Sequence, residues 1–118
     1  MRIRRQRRQK NRGGKYAKIE KGDFILTMQD ESMSGKRIHA GEDVIFTAKE
    51  TAENGEIIAV AIKGKTYCRK YEHHNGKHLF LAMNPQFKTI VIDETDASSF
   101  SVLGIATGAI IKLGETEK

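Results

Sequence analysis

Four chain-reversal signals cut the middle of the sequence into pieces too short for helices. Asn54-Gly55, Lys63-Gly64, Asn75-Gly76 and Asn84-Pro85 follow one another at intervals of about ten residues. An Asn-Gly pair suits a tight hairpin because both positions tolerate positive φ, and the residue before a proline leaves helical space. Between these signals the chain is apolar or alternating. Glu56-Ile57-Ile58-Ala59-Val60-Ala61-Ile62 is almost continuously apolar and reads as a strand covered on both faces. Residues 65–71 and 77–81 form further strands, and Thr89-Ile90-Val91-Ile92 is short and apolar. Upstream, Phe24, Leu26 and Met28 alternate with Ile25, Thr27 and Gln29, the period of a half-buried strand. Residues 43–47 give a second strand there. Residues 100–113 close the chain as a long apolar strand or strand pair, with Gly104 and Gly108 marking bends. No long helical period and no internal repeat occurs. The fold class is therefore mostly β, built of several short antiparallel strands and hairpins.

The charge is divided unevenly. Eight of the 21 cations lie in residues 1–15, which hold no acid, so the remainder has 13 cations against 15 acids and a net of −2. The chain reads as a basic arm or linker remnant over residues 1–22 and a domain over residues 23–118. Few apolar residues and the pair Gly13-Gly14 predict a disordered or loosely extended arm. Its arginines would attract phosphates in a salt-dependent, sequence-blind way. No aromatic residue interrupts the arginine run, so base stacking is not indicated. A solvated tail has the same composition. No run of about 18 apolar residues is present, which argues against a membrane-spanning helix. No apolar stretch follows the first charges, as a secretory signal would need. The single cysteine, Cys68, cannot form an internal disulfide, and a cytoplasmic setting is expected.

Ser32 is the first candidate for chemistry. The alternation of residues 24–29 stops at Asp30-Glu31 and a serine follows. A serine just past a core strand stands on a rigid support, a common place for a nucleophile. A serine closing a polar turn leaves the same trace. Cys68, His73, His74 and His78 invite a metal reading, but Asn75-Gly76 turns the chain between the histidines and no zinc-type spacing appears. No metal and no cofactor is expected.

The order of features resembles the C-terminal domain of LexA, of lambdoid-type phage repressors and of the UmuD proteins. The matching pieces are Phe24-Ile25-Leu26 leading to Ser32-Met33, then Ile38 and Gly41-Glu42-Asp43. They continue through Asn54-Gly55-Glu56-Ile57-Ile58, Cys68-Arg69-Lys70-Tyr71 and residues 81–93 to Phe100-Ser101-Val102-Leu103-Gly104. The resemblance implies a LexA/signal-peptidase-like β fold and a serine–lysine self-cleaving peptidase with Ser32 as nucleophile. By ungapped spacing, the position of the activating lysine holds Arg69. That lysine must be neutral to accept the serine proton, and a guanidinium stays protonated. Arg69 is expected to act only as a structural substitute. Lys70 is the alternative base, if a β-bulge turned it toward Ser32. The family cuts its own chain at a small residue followed by Gly, and neither Ala-Gly nor Cys-Gly occurs before Ser32. The resemblance thus implies the regulatory and dimerisation domain of a phage-type transcriptional repressor with a degenerate self-cleavage site. A homodimer is expected through the C-terminal strand, read as edge-capable, with a charge at Val102 or Ile105 weakening it. DNA would be read by a helix-turn-helix domain outside this chain. An active Ser32/Lys70 peptidase and a nucleic-acid-binding module using the basic arm are the other two readings.

Overall fold

A computed structural model describes residues 2–5 and 22–110. Its strands are β1 (Arg2–Arg5), β2 (Asp23–Thr27), β3 (Asp43–Ala48), β4 (Ile57–Ile62), β5 (Lys65–His74), β6 (Lys77–Leu81), β7 (Ile90–Asp93) and β8 (Phe100–Ile110). They form one sheet in the order β1-β2-β3-β8-β4-β5-β6-β7, with all pairings antiparallel. Short 3-10 turns at Ser34–Lys36 and Glu94–Ser99 are the helical elements among the described residues. The mostly β class expected from the sequence is the class observed.

The turn chemistry explains the local order. Lys63 and Gly64 both have positive φ (50° and 82°), as do Asn75 and Gly76 (50° and 75°). Two consecutive left-handed residues twist the chain in the sense that suits a two-residue hairpin. These turns join β4 to β5 and β5 to β6. Glu94–Ser99 winds as a 3-10 turn that Asp93 caps by accepting from the Thr95 amide at 3.0 Å.

The closing strand differs from expectation. β8 is a single strand and sits inside the sheet, pairing with β3 over residues 104–110 and with β4 over residues 100–105. It is therefore not an edge. The edges are β1 and β7. β8 sits inside because β3 and β4 belong to separate hairpin systems, and its length lets it pair with one along each half. The register shifts at Ile45/Phe46 and at Ala59/Val60 leave Thr107 and Leu103 of β8 as the extra residues. Such bulges bend a strand and sharpen its twist, so the predicted bends lie beside Gly104 and Gly108.

The curled sheet encloses two apolar clusters. Phe24, Leu26, Met28, Met33, Val44, Phe46, Ala59 and Cys68 form one, and Ile58, Val60, Ile62, Tyr71 and Phe80 the other. β4 gives Ala59 to the first and Ile58, Val60 and Ile62 to the second, so it is covered on both faces as its apolar run predicts. β2 departs from its half-buried reading. Ile25, off the alternation, is buried at 1% exposure beside its partner Ile45 at 0%. Flanked by β1 and β3, β2 is interior and both of its faces are shielded. The expected loose arm is likewise corrected over Arg2–Arg5, which pair with Phe24 to Thr27 as β1. Main-chain groups along the outer side of β2 need partners, and that requirement overrides weak local propensity. The rest of the expected arm, residues 1 and 6–22, lies outside the described residues except for Gly22.

Gly104 shows how tightly β8 is threaded. A Cβ there would stand 2.7 Å from the Thr47 carbonyl oxygen and 2.8 Å from Phe24 Cε1. One obstacle is backbone and the other a buried ring, so neither yields cheaply. Gly104→Ala is expected to destabilise the fold by about 1–3 kcal/mol, read as a lower denaturant midpoint at unchanged slope. An unshifted midpoint would show that β3 and β8 can separate without cost.

Candidate functional site

Ser32 lies in the loop that leaves β2. Asp30 turns this loop by accepting the Ser32 amide at 2.9 Å, the two-residue reach that makes Asp a turn residue. The loop is then pinned to the segment after β6. Met83 N donates to Ser32 O at 2.7 Å, Gly35 N donates to Met83 O at 2.7 Å, and Asn84 Nδ2 donates to Glu31 O at 2.9 Å. A Cβ on Gly35 would collide with the Met83 carbonyl, so only glycine permits this approach. Outside the loop, His39 Nδ1 and Glu31 Oε1 pair at 2.8 Å, and the Ala40 amide donates to Glu31 Oε2 at 3.0 Å. Ser32 is fully buried.

Arg69 meets it. Arg69 Nη1 donates to Ser32 Oγ at 2.8 Å and to the Cys68 carbonyl at 2.9 Å. The guanidinium stacks over the Tyr67 ring at 5.2 Å, and Arg69 retains only 6% exposure. Burial pushes its pKa down against the opposing pull of Asp30. A guanidinium nonetheless remains charged, so it can donate to Ser32 but cannot take its proton. Burial pushes Asp30 up, yet the hydrogen bonds from Ser32 and the charge of Arg69 together hold it below its ordinary value. Ser32 thus links the two charges, its amide held by the Asp30 carboxylate and its hydroxyl by the Arg69 guanidinium. Asp30, Ser32 and Arg69, with Met28, Lys65 and Tyr67, line a cleft of about 200 Å³.

Lys70 is not brought to the site. β5 runs against β4 without a register shift from Lys65 to Lys70, so the pleat turns Arg69 and Lys70 to opposite faces. Lys70 Nζ instead lies 3.9 Å from Glu72 Oε2. The bulge that the Lys70 alternative required is absent from this strand, which corrects that placement. Cys68 is buried in the first cluster, and burial pushes its thiol up to about 12, far from a reactive thiolate. The three hairpin histidines each have a separate partner: His73 pairs with Glu94 at 2.9 Å, His74 with Glu72 at 2.8 Å, and His78 Nδ1 with the Tyr71 hydroxyl at 2.7 Å.

Asp30 is the site residue that sequence reasoning missed. In the sequence it stands only as the polar end of an alternating strand. The available signal is its position two residues before the serine, the spacing of a side chain that accepts from a backbone amide.

The Peptidase S24-like family model matches residues 5–107. The chain is 30% identical over 88 residues to the LexA repressor of Bordetella petrii, covering 75% of this chain and 38% of that protein. It is 28% identical over 88 residues to the LexA repressor of Histophilus somni, covering 75% of this chain and 42% of that one. For the LexA repressor of a Nocardioides species the figures are 30% over 87 residues, 74% and 33%. The chain thus spans about two fifths or less of the length of these relatives.

Ser32→Ala removes an acceptor from a buried cation and is expected to cost about 1–3 kcal/mol of unfolding free energy. A gain in stability, as found where a strained catalytic group is removed, would contradict the structural role of this bond. Asp30 carries a pH signature. Its folded pKa lies below the unfolded one, so its contribution is complete above about pH 4. That contribution fades as the pH falls through the lower folded value. The stability gap between wild type and Asp30→Asn should therefore shrink on acidification below about pH 4, as followed by urea unfolding at several pH values.

Proposed function

The chain belongs to the Peptidase S24-like family, and from that premise we propose that it is the regulatory and dimerisation domain of a LexA-like transcriptional repressor whose serine–lysine centre no longer cuts. The observation that carries the reading is the 2.8 Å contact between Arg69 Nη1 and Ser32 Oγ. Activating a serine needs a base that can be empty of its proton. The group in contact with this hydroxyl is permanently protonated, and the nearest alternative in sequence, Lys70, faces Glu72. The serine here would serve as an acceptor that satisfies a buried cation.

A repressor domain of this kind would act by pairing two DNA-reading units at fixed spacing on a two-fold site. DNA contact belongs to a helix-turn-helix domain outside this chain, and the arginines of residues 1–15 add charge that phosphates attract. No helix among the described residues is long and apolar enough to cross a membrane. For self-association the interior position of β8 shifts the expected surface. Val102 and Ile105 pack against the second apolar cluster, so a charge there would unfold the domain rather than separate a pair of copies. β4 pairs with β8 only as far as Ile105. Beside residues 106–110 lies a groove lined by Lys36, Arg37, Ile38, Ile57, Ala106 and Ala109, among others. That stretch is the portion of β8 available to a second copy.

Two measurements test this reading. Wild-type protein incubated with a linker peptide containing an Ala-Gly bond is expected to give no Ser32-dependent cleavage between pH 7 and 10. Arg69→Lys, which restores an amine that burial can neutralise, is expected to gain cleavage that rises with pH. Cleavage by the wild type and its loss in Ser32→Ala would overturn the proposal. Sedimentation equilibrium should give twice the 13.3 kDa chain mass, and Ala109→Asp should shift it toward the monomer. A wild-type monomer at high concentration would refute dimerisation.

A further inference from the structure

We infer that the Ser32–Arg69 cleft is a receptor for the C-terminal carboxylate of an extended peptide laid along the open side of β5. The inference rests on the reading that this centre does not cut. Its first support is a buried donor left without an acceptor, the Arg69 Nε. A guanidinium offers five N–H groups. The contacts of Arg69 with Ser32 and Cys68 both use Nη1, while the buried Nε has no acceptor among the described residues. Arg69 is more than nine-tenths buried, so water cannot freely supply what the protein leaves out.

The second support is charge. The cleft is lined by two cations, Arg69 and Lys65, against one acid, Asp30. Asp30 already accepts from Ser32. One negative charge from outside would balance the site. A carboxylate matches the planar fork of arginine in shape as well as sign. The carbonyl of an uncut peptide bond carries no such charge and offsets little of the cost of burying a guanidinium.

The third support is the backbone. β5 pairs with β4 over residues 65–70 and with β6 only over residues 70–74. Among the described residues, no strand pairs with residues 65–69 on the side away from β4. Lys65, Thr66, Tyr67 and Arg69 from that stretch line the same cleft. An unpaired strand edge beside a pocket accepts a peptide by main-chain hydrogen bonding, with the pocket reading its side chain or terminus. The volume of about 200 Å³ is below that of pockets that enclose whole drug-sized ligands. It suits one terminal residue, and Met28 and Tyr67 favour an apolar one. A free small acid would use the charge but leave the edge unused.

The test compares ligands, so it does not depend on a variant folding. A fluorescein-labelled tetrapeptide of three alanines and a C-terminal leucine is titrated with the 118-residue chain at low salt, by anisotropy. The free acid is expected to bind at least tenfold more tightly than its C-terminal amide. Equal affinity would overturn the receptor while leaving the loss of peptidase activity intact. Cleavage of an Ala-Gly peptide by wild type would instead overturn the underlying reading. Methylation of the peptide's backbone amides is expected to weaken binding several-fold, and unchanged binding would refute docking along β5. Acetate is expected to compete only weakly, and competition at peptide-like concentrations would likewise refute the edge. Arg69→Lys, checked for folding by circular dichroism, should lose most of the preference for acid over amide. Its retention would remove Arg69 from the site.

Discussion

A cation that cannot discharge, held out of water against a serine hydroxyl, organises the cleft of this molecule. Leaving a guanidinium buried with few partners is costly, and the surrounding structure reduces that cost. Tyr67 presents its ring face, the Cys68 carbonyl and Ser32 hydroxyl accept from Nη1, and Asp30, held by the Ser32 amide, supplies a nearby opposite charge. Each contact constrains a different segment. Tyr67 and Cys68 belong to β5 itself, whereas Asp30 and Ser32 belong to the loop after β2. The arginine therefore fixes the distance between segments of the chain 37 positions apart. A lysine in its place would hold a point charge on a flexible stem, and could be made neutral by burial. The two residue types lead to opposite chemistry from one location.

The site depends in turn on β8. β2 and β3 form one ribbon with β1, and β4 to β7 form another. Among the described strands only β8 joins them, pairing with β3 along one half and β4 along the other. Ser32 follows β2 in the first ribbon and Arg69 stands on β5 in the second. Their meeting thus requires the two ribbons to be set at one register, and the two bulges of β8 set how far the ribbons curl toward each other. Gly104, with no room for a Cβ, lies where β8 is paired on both sides. Substitution there would act on the cleft through the fold, although Gly104 is not among its lining residues.

Much of this was legible in the sequence, and the features that were not share a cause. Turns at Lys63-Gly64 and Asn75-Gly76 are local events that two residues specify, and they fall as expected. The apolar run of β4 states its own burial on both faces. The place of β8 was not legible, because an apolar run says that a strand is covered without saying by which neighbours. Reading residues 100–111 as an edge takes length and hydrophobicity for position. β1 fails in the complementary way. Arg2–Arg5 has weak strand character by composition, and its pairing is dictated by the exposed backbone of β2, about 20 residues away. The contact of Ser32 with residue 69 follows from the resemblance, whereas Asp30 needs the turn geometry to be seen.

The alternation of the β-pleat decides between the two cations that follow Cys68. Had β5 contained a single extra residue opposite β4 before Arg69, Lys70 would have turned toward Ser32 and Arg69 to the opposite face. The amine would then occupy the buried position, where desolvation lowers its affinity for a proton, and the hydroxyl would have a base. Instead the register from Lys65 to Lys70 is unbroken. Which of the two cations meets the Ser32 hydroxyl therefore rests here on the phase of one strand, set by the Lys63-Gly64 turn that starts it. A two-residue hairpin leaves no freedom in register. The turn that makes the β4–β5 hairpin easy to predict is the same feature that commits the cleft to a guanidinium.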